Sequence, residues 1–379
     1  MAKGASRDIK TTNENTMTII YISHLSTNIA AGMNWSVPAS IKAQEKIDDV
    51  LWINTTDVLM PHWKETKAYR NLKDLGGILS LPAFPKPFDE PDVVVFEGIY
   101  FKEYIGFSKE LREKHIPYVI VPRGSMTYQA MHNHAWLKKW IAHKMWFDSF
   151  INHAWRIQYL TQKEADDSIK LFKTPYFIVP NGFDTPSVVK TSFCSEGIQA
   201  IFIGRLDIYH KGIDLLLDAI TEAHKELKDS GFFLNIYGPH RYDYEKLKNE
   251  VEKRGINDIA FVNDEISGKE KEQAILNSDI FIMTSRFEGH PMGMIEALAY
   301  GLPCLATPGT NMLEEVKKTD AGWVSEGNVE SIKKALLNII ADKGSFGIKS
   351  QHAKQLASHY NWDKLAVEFH KQLMILSKY

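Results

Sequence analysis

Short apolar runs alternate along most of the chain with longer stretches in which apolar residues recur at helical spacing. The runs are rich in β-branched and aromatic residues, which is typical of parallel strands covered on both faces. In the first half the pattern predicts strands at 17–22, 50–54, 93–98, 118–122, 156–160 and 176–180. In the second half it predicts strands at 199–204, 232–238, 259–263, 279–285, 303–307 and 322–325.

Strands that alternate with helices form a parallel sheet with crossover helices on both faces, so each half predicts a doubly wound α/β domain. Segment 180–197, PNGFDTPSVVKTSFCSEG, is rich in turn-forming residues and is predicted to join the domains. Because such sheets bind ligands at the carboxyl ends of their strands, we expect a cleft between the domains. The expected divisions are a disordered leader or tag at 1–16, an N-terminal domain at 17–180, a linker at 181–197, a C-terminal domain at 198–358 and a closing helical segment at 359–379.

Composition narrows the class of protein. A chain of 379 residues with 44% hydrophobic and 24% charged residues is typical of a soluble protein with two domains. A net charge of −2 provides no overall field that would attract nucleic acid. Cys194 and Cys304 lie far apart, which fits a reducing compartment without a disulfide scaffold. No apolar run reaches the roughly 18–20 residues that span a bilayer, so we expect a cytoplasmic protein.

The first candidate for chemistry is the run 203–220, IGRLDIYHKGIDLLLDAI. A predicted strand ends at Gly204, Arg205 follows it directly, and Lys211 precedes an amphipathic helix. A planar arginine fork and a compact lysine charge together suit a diphosphate. Two loop cations that only face solvent would give the same sequence pattern. The position at the end of a strand is what favours an anion site.

The second candidate is the run 285–307, SRFEGHPMGMIEALAYGLPCLAT. Pro291 fits the first position of a helix, where its missing N–H is not needed, and Gly301 fits the left-handed residue that closes the helix. The N–H groups of Met292, Gly293 and Met294 would then point out of the positive end of the helix, where an anion is favoured. Gly293 would also let a ligand approach the backbone closely.

Two glutamates flank this predicted helix start. Glu288 precedes it in the loop, and Glu296 lies about two turns further on. One carboxylate can accept two hydroxyl donors at once, as the vicinal hydroxyls of ribose or a hexose require. The pair therefore predicts contacts at opposite ends of one extended ligand. The alternative is a helix cap at Glu288 and a surface position at Glu296.

Together these runs resemble the GT-B retaining glycosyltransferases of family 4, the glycosyl transferases group 1. The resemblance rests on Arg-x5-Lys-Gly at 205–212, Glu-x7-Glu at 288–296 and PNGFD at 180–184. YLTQKEAD at 159–166 and HYNWDKLAVEF at 359–369 add to it. It implies two Rossmann-like domains that face a central cleft, with the C-terminal helix crossing back onto the first domain.

The resemblance also implies roles for individual residues. Arg205 and Lys211 would hold the diphosphate of a nucleotide-sugar donor. Glu296 would accept hydrogen bonds from the ribose, and Glu288 would contact the donor sugar near the reacting carbon. Gly32, in the loop 23–36, would approach donor and acceptor. The expected catalytic residues are Glu288, Arg205 and Lys211, and the expected donor-binding residues are Gly32, Gly204, Arg205, Lys211, Gly238, Val262, Glu288, Met292, Gly293, Met294 and Glu296.

Other positions bear on the nucleobase and the acceptor. The nucleobase should meet the loop from Val262 to Glu265 and also Gly238, for which an ordinary turn at the strand end is the alternative. Arg123 stands in VPRGSM, 121–126, where many relatives carry a histidine. It would bind the acceptor or stabilise phosphate charge, with a structural salt bridge as the alternative. Asn28, in the loop 23–36, is the second acceptor-side candidate.

The reaction that the resemblance implies is transfer of a hexose with retention of its anomeric configuration. UDP is favoured over GDP as the nucleotide, and the acceptor would be a saccharide or a lipid-linked molecule in surface polysaccharide or glycoconjugate synthesis. The metal-chelating Asp-x-Asp pair of other transferases does not occur in the sequence. We therefore expect no metal ion and no cofactor besides the nucleotide sugar as co-substrate, with Arg205 and Lys211 in the place of a metal.

Three alternatives accompany this interpretation. A non-catalytic homologue that serves as a partner subunit is one, although it would need none of the four charged candidate residues. Absence of G-x-G-x-x-G and G-x-S-x-G runs argues against a nicotinamide dehydrogenase and a serine hydrolase.

The basic, aromatic-rich segment 132–155 would suit peripheral contact with the inner face of the cell membrane, or a crossover helix packed on the sheet.

Overall fold

The computed structural model describes residues 16–27, 32–127, 131 and 146–375. Within these ranges the chain forms two α/β domains, each built on one parallel sheet. Helices connect successive strands and cover both faces of each sheet. The doubly wound, two-domain architecture predicted from the apolar runs is confirmed.

The N-terminal sheet is parallel in every described pairing. Its strands are β1 (Thr18–Ser23), β2 (Asp49–Asn54), β3 (Tyr69–Asn71), β4 (Val93–Glu97), β5 (Tyr118–Val121), β6 (Arg156–Tyr159) and β7 (Tyr176–Ile178). They are ordered β3-β2-β1-β4-β5-β6-β7, and Ile20 in β1 lies between Leu51 of β2 and Val94 of β4. The described helices of this domain are α1 (Met33–Gln44), α2 (Lys102–Glu113), α3 (Asp148–Asn152) and α4 (Gln162–Ser168), with short 3-10 turns at Pro61–Glu65, Leu72–Leu75 and Leu81–Ala83.

The C-terminal sheet is also parallel. Its strands are β8 (Ile198–Ile203), β9 (Phe232–Tyr237), β10 (Ala260–Asn263), β11 (Ile280–Met283), β12 (Cys304–Ala306) and β13 (Gly322–Val324), ordered β10-β9-β8-β11-β12-β13. Its helices are α5 (Ile213–Glu222), α6 (His224–Asp229), α7 (Tyr244–Lys253), α8 (Gly268–Asn277), α9 (Met292–Tyr300), α10 (Leu313–Thr319), α11 (Val329–Ala341) and α12 (Phe346–Ala357). Short 3-10 turns lie at Pro308–Thr310, Lys343–Ser345 and Ser358–Tyr360, and α13 (Trp362–Leu373) follows.

The central strands are apolar on both faces because each face has its own core. In β1, Ile19 and Tyr21 enter one apolar core, whereas Ile20 and Ile22 enter the core on the opposite face. Successive side chains of a strand point to opposite faces, so a strand covered twice has no place for a polar alternation. This explains why the strands were visible in the sequence as continuous apolar runs.

The predicted strands are confirmed, but two local predictions were wrong. β3 was not predicted, because it has only three residues at the sheet edge and includes the exposed Arg70. The predicted loop 23–36 is helical from Met33 onwards. Helix α1 contains Pro38 and buries polar residues such as Asn34, whose amide donates to the Ser26 carbonyl at 2.6 Å, so it lacks a clear apolar periodicity.

Helix α13 lies on the first domain, where Trp362 and Phe369 pack in one core with Val37 of α1. To reach it, the chain passes beside the first connection between the domains. Phe183 pairs with Asn361 in an isolated parallel bridge, and its N–H donates to the Tyr360 carbonyl at 2.7 Å. The chain therefore crosses between the domains twice, with the two crossings side by side.

The second half of the predicted linker packs on the C-terminal domain. The Lys190 N–H donates to the Tyr300 carbonyl at 2.8 Å, and its ammonium lies 3.3 Å from a carboxylate oxygen of Asp279. Both of these charged side chains are less than a tenth exposed. At Lys190, the predicted linker is therefore in contact with the C-terminal domain.

Some predictions fall on residues that the structure does not describe. These are nearly all of the leader 1–16, the acceptor-side candidate Asn28, and residues 132–145 of the proposed membrane-contact segment. Among the helices that are described, none has both the length and the apolar character that a membrane-crossing helix requires.

Candidate active site

The charged candidates lie where the C-terminal sheet reverses its direction of winding. β8 and β11 are neighbours in the sheet, but the chain leaves them toward opposite sides, and this divergence creates a crevice at their carboxyl ends. Residues 204–212 follow β8, and residues 284–291 follow β11. Gly32 of the first domain faces this crevice, where a Cβ atom on it would lie 3.9 Å from Met292.

Two cavities open at this point. The large cavity has a volume of about 610 Å³ and is lined mainly by the C-terminal domain, with Gly32 and Trp35 lining it from the first domain. The small cavity has a volume of about 290 Å³ and lies between the domains. The candidates that line the large cavity are Gly32, Gly204, Arg205, Gly238, Met292, Gly293 and Glu296; those that line the small cavity are Gly32, Arg123, Arg205 and Met292.

The structure brings Lys211 and Glu288 together just behind the cavity lining. The Lys211 ammonium lies 2.6 Å from a carboxylate oxygen of Glu288, and the Ser285 hydroxyl donates to the same oxygen at 2.6 Å. Burial would raise the pKa of Glu288, but Lys211 and Ser285 outweigh it and hold this pKa below its ordinary value of 4.5. Glu288 is therefore an ionised carboxylate in a nearly dry setting, and it does not cap helix α9.

Further contacts fix the two loops that carry this pair. The guanidinium of Arg286 donates to both carboxylate oxygens of Asp214, at 2.7 Å each, and lies over the Tyr209 ring. The Thr284 hydroxyl donates to the Gly212 carbonyl at 3.0 Å. Gly212 has φ +61°, and a Cβ atom there would lie 2.0 Å from the Thr284 carbonyl oxygen. Lys211 is thus held by a backbone contact that only glycine permits.

Arg205 reaches the edge shared by both cavities. One terminal nitrogen of Arg205 lies 3.4 Å from Nδ1 of His210, and the Nε2 atom of His210 lies 2.6 Å from the Phe287 carbonyl. Because a carbonyl only accepts, Nε2 carries the proton and Nδ1 is the acceptor. Burial lowers the pKa of His210, and the two cations Lys211 and Arg205 lower it further against the opposing effect of Glu288. A neutral His210 thus supports the Arg205 guanidinium.

Helix α9 begins one residue later than predicted. Pro291 is the residue before the helix, with φ −81° and ψ 92°, rather than its first residue. The Met294 N–H donates to the Pro291 carbonyl at 3.0 Å, and the Met294 side chain is fully buried, so this placement does not support the predicted ligand contact of Met294. In the described part of the chain, the N–H groups of Met292 and Gly293 have no acceptor. Gly301 closes the helix at φ 89°, as predicted.

Glycine at 293 also has a packing role that the sequence did not indicate. A Cβ atom there would lie 3.3 Å from the Ile203 carbonyl oxygen and 3.4 Å from the Phe281 ring. The missing side chain therefore lets the start of α9 pack on the sheet, which brings the N–H groups of this helix start to the end of β8. Gly238 is likewise a packing glycine, since a Cβ atom on it would lie 2.4 Å from the Gly204 carbonyl oxygen.

Glu296 lies on the wall of the large cavity, with its side chain 14% exposed, and is paired with the ammonium of Lys271. It is therefore not an ordinary surface residue. Val262 packs on the C-terminal core and does not line either cavity, whereas Glu265 and Ile266 line the large one. The predicted nucleobase contact at Val262 is not supported by this placement.

Arg123 projects into the space between the domains. Its Nε donates to Glu97 at 2.6 Å, and its Nη1 donates to Ser36 at 3.1 Å and to Asn181 at 2.8 Å. Both charged side chains of the Arg123–Glu97 pair are less than a tenth exposed. The structural salt bridge that was an alternative for Arg123 is present. Arg123 also lines the small cavity, so the ion pair fixes this residue in the cleft.

Sequence reasoning missed three residues of the site. Lys271 pairs with Glu296, and Tyr242 lines the small cavity beside Arg205. His290 also lines the small cavity and is almost fully buried, and its Nδ1 has no hydrogen-bond partner among the described residues. Burial lowers the pKa of His290 to about 3. Nothing in the local sequence separates these three side chains from ordinary loop or helix residues.

Known proteins resemble this chain in sequence and in fold. Residues 189–358 match the family described as glycosyl transferases group 1. The poly(glycerol-phosphate) alpha-glucosyltransferase of Bacillus subtilis is 25% identical over 225 residues, which cover 54% of this chain and 30% of that protein. The chain spans about a third of the length of the first curated relatives that it matches.

Solved structures share the fold over nearly the whole chain. The sucrose-phosphate synthase of Thermosynechococcus elongatus has a TM-score of 0.71 at 15% identity, covering 95% of this chain and 99% of its own. HepE of Anabaena in complex with UDP has a TM-score of 0.72 at 14% identity, covering 94% and 100%. The fold is the GT-B fold, with two Rossmann-like domains facing a cleft, as the resemblance implied.

Proposed function

We propose that the protein is a retaining, metal-independent glycosyltransferase that moves a hexose from a UDP-sugar to a saccharide or lipid-linked acceptor. One observation supports this proposal above the others. Polar groups converge along one cavity at the positions that a nucleotide-sugar donor requires. Arg205 and the N–H groups of Met292 and Gly293 meet at the strand ends, and Glu296 lies further along the same large cavity. An elongated ligand with an anionic end and a hydroxyl-bearing end matches this arrangement.

The anionic end would be the diphosphate. When the bond between the anomeric carbon and the diphosphate breaks, negative charge develops on the departing phosphate oxygen. Arg205 and Lys211 supply fixed positive charge there, and the amides at the start of α9 supply hydrogen-bond donors. These groups are held in place by His210, Thr284 and the packing of Gly293, so they need little reorganisation during the reaction.

Glu296 and Glu288 would orient the two sugars of the donor. Glu296 would accept from the ribose hydroxyls with the oxygen that does not contact Lys271. Glu288 remains ionised beside Lys211 and would contact the transferred hexose near its reacting carbon. A carboxylate there would also favour the positive character that this carbon acquires in the transition state.

Retention is proposed to occur by attack from the face that the diphosphate leaves. The acceptor oxygen forms the new bond to the anomeric carbon, the bond from that carbon to the phosphate oxygen breaks, and the acceptor proton moves to the departing phosphate. With fixed cations beside this phosphate, the proposal assigns the charge stabilisation to Arg205 and Lys211 rather than to a metal ion.

The choice of UDP and of a hexose as the transferred group is supported by relatives. The Bacillus subtilis relative is a glucosyltransferase by name, and the Anabaena neighbour was solved with UDP. We extend to this chain a role in surface polysaccharide or glycoconjugate synthesis, on the cytoplasmic side of the membrane. A partner-subunit role is not favoured, because it would give no reason for the buried Lys211–Glu288 pair at the cleft.

Thermal-shift measurements with UDP, GDP, UDP-glucose and GDP-mannose test the proposal. Ligand that binds only the folded chain stabilises it according to its concentration relative to Kd, so UDP and its sugar should raise Tm most. Slow hydrolysis of the bound UDP-sugar should follow, and Glu288→Gln should abolish it while retaining the UDP shift. Absence of both binding and hydrolysis across the panel would contradict the enzymatic proposal and favour the partner-subunit alternative.

A further inference from the structure

Left-handed backbone at non-glycine residues occurs at five described positions, three of which lie around the cleft. The described residues of this kind are His115, Arg123, Tyr242, Asn311 and Asp320. Arg123, with φ 50°, and Tyr242, with φ 59°, line the small cavity from opposite domains. The Asn311 amide donates to the carbonyls of Glu288 and Gly289 and so holds the Glu288 loop. Such a conformation costs about 1–3 kcal/mol and persists where the surroundings enforce it.

The next residue in the chain enforces the conformation of Tyr242. The Asp243 N–H donates to the Leu206 carbonyl at 3.1 Å, and its carboxylate accepts from the Ile208 N–H at 3.0 Å. These two bonds tie the loop after β9 to the loop that carries Arg205. Tyr242 is therefore held in place although its own ring is not packed in a core.

The Tyr242 ring remains 49% exposed and faces the small cavity, 5.8 Å from the Arg205 guanidinium. A large aromatic side chain that is both held by a strained backbone and left uncovered has an unused apolar face. Across the cavity, Arg123 uses its Nε and Nη1 for Glu97, Ser36 and Asn181. Its Nη2 has no acceptor among the described residues, and Arg123 lines the same cavity as Tyr242 from the other domain.

The position of Tyr242 relative to the donor identifies which ligand meets it. Both cavities share Gly32, Arg205 and Met292. If the nucleotide occupies the large cavity, the transferred sugar lies at this shared edge and the acceptor lies beyond it. Tyr242 lines only the small cavity. The volume of about 290 Å³ is near the lower end of ligand cavities, which span roughly 300–1,000 Å³.

We infer that Tyr242 is the platform on which the pyranose ring of a saccharide acceptor packs. One face of such a ring presents C–H groups and is apolar, so it would cover the exposed face of Tyr242, while a ring hydroxyl would accept from Arg123 Nη2. This inference rests on the proposed function and narrows it: the group next to the attacking oxygen is a sugar ring rather than a simple alcohol.

Variants at Tyr242 test this directly. Tyr242→Asn removes the ring, and asparagine tolerates the left-handed backbone better than most other non-glycine residues do. Tyr242→Phe keeps the ring. His115→Asn is the matched control, because His115 is also left-handed at φ 56° and lies on an exposed turn after α2. Circular dichroism and the thermal shift with UDP confirm that each variant is folded and binds nucleotide.

The measurement is binding of methyl gluco-, galacto- and mannopyranosides, and of glycerol, to the UDP-saturated full chain by ligand-observed NMR. Tyr242→Asn should weaken binding of the preferred methyl pyranoside at least tenfold. In Tyr242→Phe and His115→Asn, the Kd for this pyranoside should remain within threefold of that of the unmodified protein. Glycerol should bind weakly to all of them, and the Kd for UDP should change less than twofold in each.

Two results would overturn the inference in distinguishable ways. In Tyr242→Asn, a normal UDP shift with unchanged pyranoside binding rejects the platform and leaves the proposed function in place. A large loss of UDP affinity in this variant, in place of a loss of pyranoside binding, does the same. If the unmodified protein shows no response to UDP or UDP-sugars, the proposed function fails, and the acceptor platform fails with it.

Discussion

The Lys211 ammonium lies 2.6 Å from the Glu288 carboxylate although 77 residues separate them in the chain. Their side chains are only 10% and 11% exposed. Two loops at one switch point of the C-terminal sheet thus meet through a nearly buried ion pair. Under the proposed function, the pair fixes a cation near the leaving diphosphate and an anion near the transferred hexose.

Lys211→Met should destabilise the protein by about 3–5 kcal/mol, because it leaves a buried carboxylate without its partner. Without the lysine, burial dominates and raises the pKa of Glu288 above its unfolded value. The folded state then binds the proton more tightly, so stability falls as pH rises above about 4.5. Urea denaturation at pH 5 and pH 8 measures this.

The double variant Lys211→Met/Glu288→Gln supplies the control. Removing both charges should recover much of the lost stability and also remove its pH dependence, whereas transfer and UDP-sugar hydrolysis should stay abolished. A double variant as unstable as Lys211→Met alone would contradict the account given for the pair.

Glu296→Gln should weaken UDP binding about tenfold or more, since hydrogen bonds to a charged group contribute about 1.5–3 kcal/mol. Affinity for inorganic pyrophosphate should not change, because Glu296 would contact the ribose only. Arg205→Ala should weaken the binding of both UDP and pyrophosphate. Calorimetric titration with UDP and pyrophosphate separates the two effects.

Glu330→Gln is the matched control for this experiment, because Glu330 lies exposed in the first turn of α11. It should bind both ligands normally. Equal losses of UDP and pyrophosphate affinity in Glu296→Gln would show that Glu296 acts on the phosphate end or on folding.

Gly212→Ala and Gly255→Ala form a second matched pair. Both glycines are left-handed, at φ +61° and +65°, so alanine costs about 1–2 kcal/mol at either site. Only at Gly212 would the new methyl group meet the Thr284 carbonyl oxygen, whereas Gly255 has open space around it. Gly212→Ala should therefore lose a further 1–3 kcal/mol or so, together with UDP affinity. Similar losses of stability in the two variants would show that the backbone at Thr284 can move to accommodate the methyl group at little cost.

His290 should make stability depend on pH. Its pKa is lowered to about 3 in the folded chain from an ordinary value of 6.5. Between these values the unfolded chain binds more protons, so stability falls as pH decreases. From pH 6.5 to pH 5 the unmodified protein should lose about 1.5 kcal/mol more than His290→Leu, as measured by urea denaturation. Parallel pH profiles of the two proteins would mean that His290 becomes protonated in the folded state.

The sequence predicted the strands well because each central strand is buried on both faces and forms an uninterrupted apolar run. It also located the loops with Arg205 and Glu288, since open α/β sheets bind ligands at their strand ends. The start of α1 escaped prediction because this helix buries polar residues such as Asn34. The Lys211–Glu288 pair, the Lys271–Glu296 pair and the burial of His290 depend on contacts across the tertiary structure, and local patterns carry no trace of them.

The paired crossings at Phe183 and Asn361 bear on how the cleft can open. A single connecting strand would let the domains swivel in any direction. Two connecting segments bonded side by side resist twisting of one domain against the other. The easiest remaining motion is a hinge rotation of the domains about a single axis. Tyr360 crowds Gly182 so closely that a Cβ atom there would lie 2.5 Å from its carbonyl oxygen, and this stiffens the joint further. Closure over a bound donor would thus follow a hinge whose direction is fixed by the C-terminal return of the chain.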